Sequence, residues 1–332
     1  MNRLQLDEAE LQSVDSLVQR LTDRFDRIDD PELLAETPLI AHELPLRIRR
    51  LLHRLHREEI GWCIIGGHPV DDSAIGPTPA HWNSNRHPSP VLSYEILLLL
   101  YTSLLGAPFG WATQQDGRLV HDVMPIKGNE KKQLGTGSEM LLTWHTEDAF
   151  HPYRGDYVVL ACLRNPQTAG TTMGRVDDLE LDREDVDILF QQRFVILPDE
   201  SHRPQHNSTD GATDFGSIES MLAQPPAVAV LFGGKDEPYI RADPYFMQVR
   251  PDDEPAECAL RHLTAEMDAR MQEVALAPGD YCFIDNFKVV HGRKPFTARF
   301  DGTDRWLKRV CITRDLRKSR DARAHSTSFT IR

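Results

Sequence analysis

The chain has 332 residues, of which 40% are hydrophobic and 27% charged, a composition typical of a folded globular protein rather than a disordered or fibrous one. With 51 acidic and 38 basic residues its net charge is −13, which disfavours nucleic acid as a partner. The longest apolar run, within residues 91–106, is too short for a membrane-spanning helix. The first residues lack the apolar core of a secretion signal. We therefore predict a soluble protein without a nucleic-acid or membrane partner; the oligomeric state stays open.

Five cysteines are scattered along the chain without a C-x-x-C pair. An odd number without paired spacing argues against a disulfide framework or a zinc ribbon. Four of them lie in apolar segments, where cysteine usually packs as a small hydrophobic residue. We predict reduced thiols and a cytoplasmic location. The cysteines are Cys63, Cys162, Cys258, Cys282 and Cys311.

The first part of the chain, residues 1–105, is predicted to be mainly helical. Apolar residues at a 3.6-residue spacing mark an amphipathic helix over about residues 6–28. Proline, serine, asparagine and glycine then separate the later segments and mark where helices begin and end. In order, these segments are a helix from Pro45 to Gly61, a strand at 62–66, a loop at 71–90 and a buried helix at 91–105.

After Gly106, short apolar runs alternate with turn signals, which is typical of an all-β sandwich or barrel. One helix, at residues 254–275, interrupts them, and Pro278-Gly279-Asp280 predicts a turn. Residues 200–220 are polar and aperiodic; such a long loop in a compact domain is commonly a lid, with disorder as the alternative. The predicted strands cover residues 157–163, 193–197, 227–234, 281–285 and 306–313.

The segment LTWHTEDAFHP, residues 142–152, contains a possible metal-binding pattern. In an extended segment residues i and i+2 share a face, so His145 and Glu147 present an imidazole nitrogen and a carboxylate oxygen to one point. Two histidines and one carboxylate are the ligands of non-haem iron(II) oxygenases. The pattern alone is weak, because this composition produces H-x-[DE] about twice by chance. The second copy, His56-Arg57-Glu58, lies in a predicted helix, where side chains two apart diverge by about 200°.

Two distant residues make the metal prediction more specific. His291 follows a predicted strand and turn in YCFIDNFKVVHGRKPF, and Arg305 lies 14 residues further on. A guanidinium forms bidentate pairs with carboxylates and keeps its proton. Arg305 is therefore suited to hold the far carboxylate of a dicarboxylate co-substrate that chelates the metal, although alone it would be interpreted as a surface arginine in a turn. The predicted catalytic iron(II) ligands are His145, Glu147 and His291.

Several segments resemble one known family. HTEDAFHP, YVVLACLRNP, FIDNFKVVHGR and FTARFDGTDRWLKR are similar to the clavaminate-synthase-like iron(II)/2-oxoglutarate oxygenases, over residues 110–315. Within it they most resemble the free arginine and asparagine hydroxylases of peptide-antibiotic biosynthesis. The resemblance implies one oxygenase domain over residues 1–332, mainly β with flanking helices. Its core, over residues 106–320, would be a double-stranded β-helix (jelly roll). The implied co-substrates are 2-oxoglutarate and O₂, and the co-products succinate and CO₂.

The resemblance also implies roles for residues around the metal. Arg305 matches the arginine that binds 2-oxoglutarate, with Thr172 as the hydroxyl partner of that co-substrate and Thr171 as the alternative. Arg309 matches the arginine that binds the substrate α-carboxylate, although a charged strand residue facing solvent is the simpler interpretation. Gln114 matches a glutamine near the substrate amine, with Gln115 as the alternative. The implied substrate-binding set is Gln114, Glu147, Asp199, Ser201, Asp243 and Arg309.

The side-chain end of the substrate site decides the substrate. Asp199 and Ser201 match residues that line it in the arginine hydroxylases, and Asp243 matches a guanidinium-binding acid. A buried cation needs a carboxylate partner, so two acids favour L-arginine or a related guanidino acid, although aspartates also commonly cap loops. The pattern departs at Tyr245, where the resembled arginine 3-hydroxylase has a second acid. We predict hydroxylation at C3 or C4; citrulline, asparagine or another polar amino acid, and desaturation, stay open.

Other classes of protein fit the residues less well. A cupin-type hydrolase or isomerase commonly has a third histidine near the first pair, and here the next one is His151. A ligand-binding relative without catalysis would lose Arg305 or Glu147, and both are present. A related halogenase would need a small residue at position 147 to make room for chloride. A metal-binding jelly roll that is not an oxygenase is the alternative from a different class.

Overall fold

The computed structural model describes residues 3–84, 89–207 and 213–332. Helices concentrate in the first third of the chain, as predicted. No helix in the described ranges is long and apolar enough to cross a membrane. The α-helices there are α1 (Glu8–Thr22), α2 (Pro31–Ile40), α3 (Leu46–Arg57), α4 (Asp72–Ile75), α5 (Leu92–Ser103), α6 (Arg183–Leu189), α7 (Gly216–Ala223) and α8 (Glu254–Arg270).

The strands form two larger and two smaller sheets. The largest has the order β1-β2-β14-β6-β16-β3-β17, with β4 also paired to β16; a second has the order β13-β7-β15-β5. The small sheets are β12-β8-β9 and β10-β11. The ranges are β1 (Arg3–Gln5), β2 (Trp62–Gly66), β3 (Ala107–Trp111), β4 (His121–Val123), β5 (Leu142–His145), β6 (Tyr157–Arg164), β7 (Thr171–Arg175), β8 (Phe194–Ile196), β9 (Ala227–Val228), β10 (Leu231–Gly233), β11 (Pro238–Ile240), β12 (Met247–Val249), β13 (Gln272–Val274), β14 (Tyr281–Asp285), β15 (Val289–Arg293), β16 (Trp306–Thr313) and β17 (Thr330–Ile331).

The two larger sheets share a buried layer. Val158 and Leu160 of β6 belong to the same apolar cluster as Met173 of β7 and Val289 of β15. Alternate residues of each strand point into this layer, because side chains alternate across a strand. The polar residues described below line a cavity that continues from this layer.

The N-terminal helices cover the other face of the large sheet. Val159 of β6, Phe283 of β14 and Ile312 of β16 belong to one apolar cluster with residues of α1, α2, α3 and α5. Helices on one face and the second sheet on the other leave β6 and β14 buried along their whole length. This explains why both strands are continuous apolar runs instead of alternating apolar and polar residues.

Several sequence predictions are confirmed. The strands at 62–66, 281–285 and 306–313 have the predicted bounds, and the strand at 157–163 extends by one residue. The turn at residues 278–280 is present, and its Gly279 has φ +85°. A Cβ there would lie 1.8 Å from the carbonyl oxygen of His68, so only glycine fits.

Other predictions were wrong in detail. Residues 227–234 form two strands in different sheets, because the backbone of the intervening Val230 bonds to Leu189 and Arg241. The helix predicted at 254–275 ends at Arg270, and Gln272–Val274 instead pairs with β7. The first helix, predicted over about residues 6–28, begins at Glu8, where Asp7 caps it, and ends at Thr22. Helices α2 and α6 were not predicted, and α4 lies within the predicted loop at 71–90, of which residues 85–88 lie outside the described ranges.

The polar segment at 200–220 has more local structure than expected. Two 3₁₀ turns, Glu200–His202 and Pro204–His206, lie against the cavity described below, and α7 begins at Gly216. Residues 208–212 lie outside the described ranges. Residues 200–206 are therefore ordered into two turns that lie against the cavity.

Candidate active site

Two histidines lie side by side on paired strands. β5 and β15 are antiparallel with His145 opposite His291, and the ring centroids are 4.7 Å apart. The Nδ1 atom of His145 lies 2.9 Å from the carbonyl oxygen of Thr143. This contact assigns the proton to Nδ1 and leaves the Nε2 lone pair available to a metal.

Glu147 completes the group, just beyond the end of β5. Its Oε2 lies 3.2 Å from Nε2 of His291 and 3.9 Å from Nε2 of His145, and its Oε1 accepts a hydrogen bond from Nη1 of Arg309. Burial alone would raise the pKa of Glu147, but the charge of Arg309 and the contact with His291 outweigh it, so the pKa lies well below its usual range. One oxygen therefore faces the histidines, and the other faces the arginine.

These three side chains fit the predicted metal. Each offers one ligand atom, and these atoms lie within 4.8 Å of one another. Two neutral imidazole nitrogens and one carboxylate oxygen suit iron(II) and leave other coordination positions open on the metal. The convergence of His145, Glu147 and His291 is as the sequence predicted. The second H-x-[DE] pattern, at His56, lies at the end of α3. There the Nδ1 atom of His56 is 3.1 Å from the hydroxyl oxygen of Tyr157.

A cavity of about 440 Å³ lies next to the three residues, within the usual size range of small-molecule sites. Leu160 and Leu307 of the large sheet and Thr171 and Arg293 of the second sheet form part of its wall. The other predicted site residues that line it are Gln114, Gln115, Asp199, Ser201, Asp243, Tyr245, Arg305 and Arg309. Thr172 does not belong to the described lining.

Arg305 is a buried cation without a counter-charge among the described residues. It is 5% exposed, and its Nε has no hydrogen-bond partner in the described part of the chain. Burial lowers the pKa of Arg305 to about 10, and no described carboxylate offsets this effect. An unpaired buried guanidinium is costly, and a carboxylate ligand would compensate it. The buried guanidinium of Arg305 is therefore well suited to bind a carboxylate of a dicarboxylate co-substrate.

The structure distinguishes Thr171 from Thr172. Thr171 lies opposite Arg293 on the cavity side of β7, and its hydroxyl is buried without a partner among the described residues. Thr172 faces the opposite side, where its Oγ1 would lie 3.0 Å from a Cβ placed on Gly292. The preferred sequence prediction, Thr172, therefore points away from the cavity, and the alternative, Thr171, lines it. Alternation along the strand is the reason.

We expect Thr171→Val to weaken 2-oxoglutarate binding about 10- to 100-fold, because one hydrogen bond to a charged ligand is lost. Thr172→Val, on the same strand but facing away, should leave the Kd within about twofold. Anaerobic calorimetry with the iron(II)-loaded protein measures both. A larger loss of affinity in Thr172→Val than in Thr171→Val would mean that Thr172 is the hydroxyl partner of 2-oxoglutarate.

A continuous hydrogen-bond chain runs from Arg309 to the far end of the cavity. Nη2 of Arg309 donates to Oε1 of Gln114 at 2.7 Å, and Nε2 of Gln114 donates to Oγ of Ser201 at 2.6 Å. The hydroxyl of Ser201 donates to Oδ1 of Asp199 at 2.5 Å. Gln115 instead bonds through both amide atoms to the backbone of residue 122. Both glutamines line the cavity, but only the side chain of Gln114 belongs to the hydrogen-bond chain from Arg309.

Two acids line the same part of the cavity, and both also cap loops. Asp199 accepts from the backbone N–H of Ser201, and Asp243 accepts from the backbone N–H groups of Tyr245 and Phe246. Burial raises the pKa of Asp243 to about 6; His145 opposes this, and Asp199 adds to it. Neither acid forms an ion pair with a lysine or arginine in the described ranges. Tyr245 is 57% exposed at the rim.

Three residues that support the site were not predicted from the sequence. Asn286 bonds to both the backbone N–H and the carbonyl of Glu147, at 2.8 and 3.1 Å, and so fixes that ligand. His202 contacts Asp148 at 3.2 Å and holds the segment that carries Asp199. His121 contacts Arg309. Asn286 lies in the segment FIDNFKVVHGR, and His121 follows Gln114 and Gln115 in TQQDGRLVH, but nothing in either pattern indicated these contacts.

Known proteins share this fold and chain length. The enduracididine β-hydroxylase of Streptomyces hygroscopicus is 48% identical, and the match covers 100% of both chains. The L-ornithine/L-arginine 3-hydroxylase of Catenulispora acidiphila is 45% identical, with 96% of each chain covered. The crystal structure of the non-haem iron oxygenase OrfP in complex with Fe, succinate and (3S)-hydroxy-L-Arg has a TM-score of 0.96 and 46% identity, and the match covers 100% of both chains.

These relatives confirm the predicted resemblance to iron-dependent amino-acid hydroxylases. Residues 101–311 match the family model for the taurine catabolism dioxygenase TauD, TfdA family, and this range contains all three candidate metal ligands together with Arg305 and Arg309. The match extends over more than half of the chain. The chain belongs to the TauD, TfdA family of dioxygenases.

Proposed function

We propose that this protein is an iron(II)/2-oxoglutarate-dependent oxygenase that hydroxylates C3 or C4 of free L-arginine or a closely related guanidino amino acid. Iron(II) and 2-oxoglutarate, when bound, supply the oxidising chemistry: one atom of O₂ enters a substrate C–H bond and the other enters succinate, with loss of CO₂. His145, Glu147 and His291 would hold the metal. The protein's own contribution is to place one C–H bond beside the metal and to exclude others.

The observation that carries the proposal is an imbalance of charge within one cavity. Arg305 is a buried cation without a described carboxylate partner, and Asp199 and Asp243 are acids without a described lysine or arginine partner. A ligand pair of a dicarboxylate and a guanidino amino acid would neutralise both. Arg309 would bind the substrate α-carboxylate, and Gln114 and Glu147 would lie near its amine.

The relatives support the same substrate class. OrfP was crystallised with succinate and a hydroxylated arginine, and two similar chains are hydroxylases of enduracididine and of ornithine or arginine. The facing sheets, β13-β7-β15-β5 and the large sheet, support a jelly-roll core. β1 pairs with β2 and β2 pairs with β14, which joins the N-terminal part to the large sheet and supports a single domain over residues 1–332. Ser201 and Gln205, at the cavity wall, support a lid role for residues 200–220.

Anaerobic reconstitution with iron(II) and 2-oxoglutarate, followed by O₂ and a panel of amino acids, tests the proposal. The panel contains L-arginine, enduracididine, L-ornithine, L-homoarginine, L-citrulline and L-asparagine. We expect guanidino acids to stimulate succinate formation most and to gain a mass of about 16 from one inserted oxygen. A loss of two hydrogens would indicate desaturation instead. If no amino acid raises succinate above background, the amino-acid proposal is wrong.

We expect Asp243→Asn to raise the KM for L-arginine about 30-fold or more, because a buried cation loses its carboxylate partner. The KM for L-citrulline, a neutral analogue of nearly the same shape, should change less than about threefold. Steady-state succinate formation measures both. Asp236→Asn, at an exposed acid that does not line this cavity, is the control for net charge. Equal losses for both substrates would mean that Asp243 only caps its loop.

A further inference from the structure

His121 is a buried histidine that the proposed chemistry does not use. It lies on β4 directly opposite Arg309 of β16 and is 3% exposed. Its Nδ1 is 2.8 Å from Nη2 of Arg309, and its Nε2 is 3.0 Å from the carbonyl oxygen of Arg118. Both ring nitrogens therefore have a partner.

The two contacts assign the tautomer of His121. A carbonyl oxygen only accepts, so Nε2 carries the proton and donates a hydrogen bond to the carbonyl oxygen of Arg118. The Nδ1 lone pair then accepts from Arg309, whose guanidinium only donates. Burial, reinforced by the charge of Arg309, lowers the pKa of His121 well below its usual value. The ring is therefore a neutral acceptor.

The remaining contacts of Arg309 explain why a neutral acceptor is useful. Its Nη2 donates to two neutral groups, Gln114 and His121, and its Nη1 donates to Glu147. Its buried Nε has no partner in the described ranges. Glu147 already brings one negative charge to Arg309, and an acid at position 121 would add a second, which would oppose a substrate carboxylate. A neutral ring instead fixes the orientation of the guanidinium without adding negative charge.

We propose that His121 is a positioning residue that orients Arg309 toward the substrate α-carboxylate. This inference rests on the proposed function, because it requires an α-amino acid to bind at Arg309. His121 would not touch the substrate. Its effect should therefore be confined to ligands that carry the α-carboxylate and should not extend to 2-oxoglutarate, which Arg305 binds.

His121→Leu and His121→Asn separate positioning from packing. Leucine has a similar size but no acceptor, whereas the Oδ1 atom of asparagine can replace Nδ1 as the acceptor for Arg309. We expect His121→Leu to weaken L-arginine binding about tenfold or more, because a buried charge-assisted contact is lost. His121→Asn should recover most of that affinity. The Kd of 2-oxoglutarate should stay within about twofold in both variants.

Anaerobic calorimetry on the iron(II)-loaded, full-length protein measures both dissociation constants. Agmatine, which lacks the α-carboxylate, provides a further comparison: its affinity should be the same in wild type and His121→Leu. Wild-type affinity for L-arginine in His121→Leu would overturn the inference. So would equal losses for L-arginine and 2-oxoglutarate, or an Asn variant as weak as the Leu variant.

Three further outcomes are also informative. If His121→Leu does not fold, His121→Ala replaces it, because it introduces no new contacts, and the same comparison with His121→Asn applies. If wild-type protein binds 2-oxoglutarate but no amino acid at all, the proposed function itself fails and the inference falls with it. If wild type hydroxylates L-arginine and His121→Leu binds it normally, only the inference about His121 is wrong.

Discussion

Arg305→Leu is expected to lose about 30- to 5,000-fold in affinity for 2-oxoglutarate, equivalent to about 2–5 kcal/mol for one partner of a buried charge pair. Arg305 is buried, lines the cavity and has no described carboxylate partner, so the co-substrate would be its counter-charge. Anaerobic calorimetry with iron(II) measures the Kd directly. Coupled turnover should fall in parallel at fixed 2-oxoglutarate and recover partly at high concentration.

The same variant should be more stable than wild type when no ligand is present. Burial lowers the pKa of Arg305 to about 10, which means that the folded protein without ligand disfavours the charged form of this side chain. Leucine removes that cost, so the Tm without ligand should rise, whereas the Tm increase caused by 2-oxoglutarate should disappear. Arg305→Lys keeps the charge but not the bidentate geometry, and we expect an intermediate Kd. An unchanged Kd in Arg305→Leu would remove Arg305 from the co-substrate site.

Glu147→Ala is expected to abolish coupled turnover. The variant removes the only carboxylate of the triad, and it also leaves the buried Arg309 without its acidic partner. We expect iron(II) affinity to fall more than about 100-fold, beyond the typical effect of losing an outer-shell partner of a metal ligand. Anaerobic iron(II) titration and succinate formation measure the two effects separately.

Glu147→Gln is the matched variant. Its amide oxygen can still accept from Arg309, but it lacks the negative charge that favours a divalent cation. We expect weak iron(II) binding with a folded, stable protein. Asn286, which holds the backbone of Glu147, should keep the chain path unchanged in both variants. Coupled turnover retained by Glu147→Ala would mean that the ligand assignment is wrong.

Much of the site could be predicted because its signals are local or chemically unusual. His145 and Glu147 are two residues apart and converge as predicted, although only His145 lies in β5 and Glu147 lies in the turn that follows it. His291 and Arg305 are distant in sequence but were recognised from the chemistry of a metal and a dicarboxylate. Strands with both faces covered, such as residues 281–285, were predicted to the residue because burial on both sides demands a continuous apolar run.

Other choices depended on which side of a strand or turn each side chain occupies. Thr171 and Thr172 are chemically identical neighbours, and only the pairing of β7 with β15 decides which one faces the cavity. Gln114 and Gln115 differ in the same way, because Gln115 has φ +45° and turns onto the backbone of residue 122. The sequence left both pairs open for this reason.

What the sequence by itself determined is the set of groups at the site: a histidine–carboxylate–histidine triad, an arginine suited to a dicarboxylate and two acids suited to a cationic side chain. What only the tertiary structure decided is which groups have partners. Arg305 lacks a described counter-charge, Arg309 is shared by Glu147, Gln114 and His121, and Asn286 holds the glutamate. The sequence shows which hydrogen-bond donors and acceptors a chain contains. Whether each of them finds a partner depends on contacts between residues far apart in sequence.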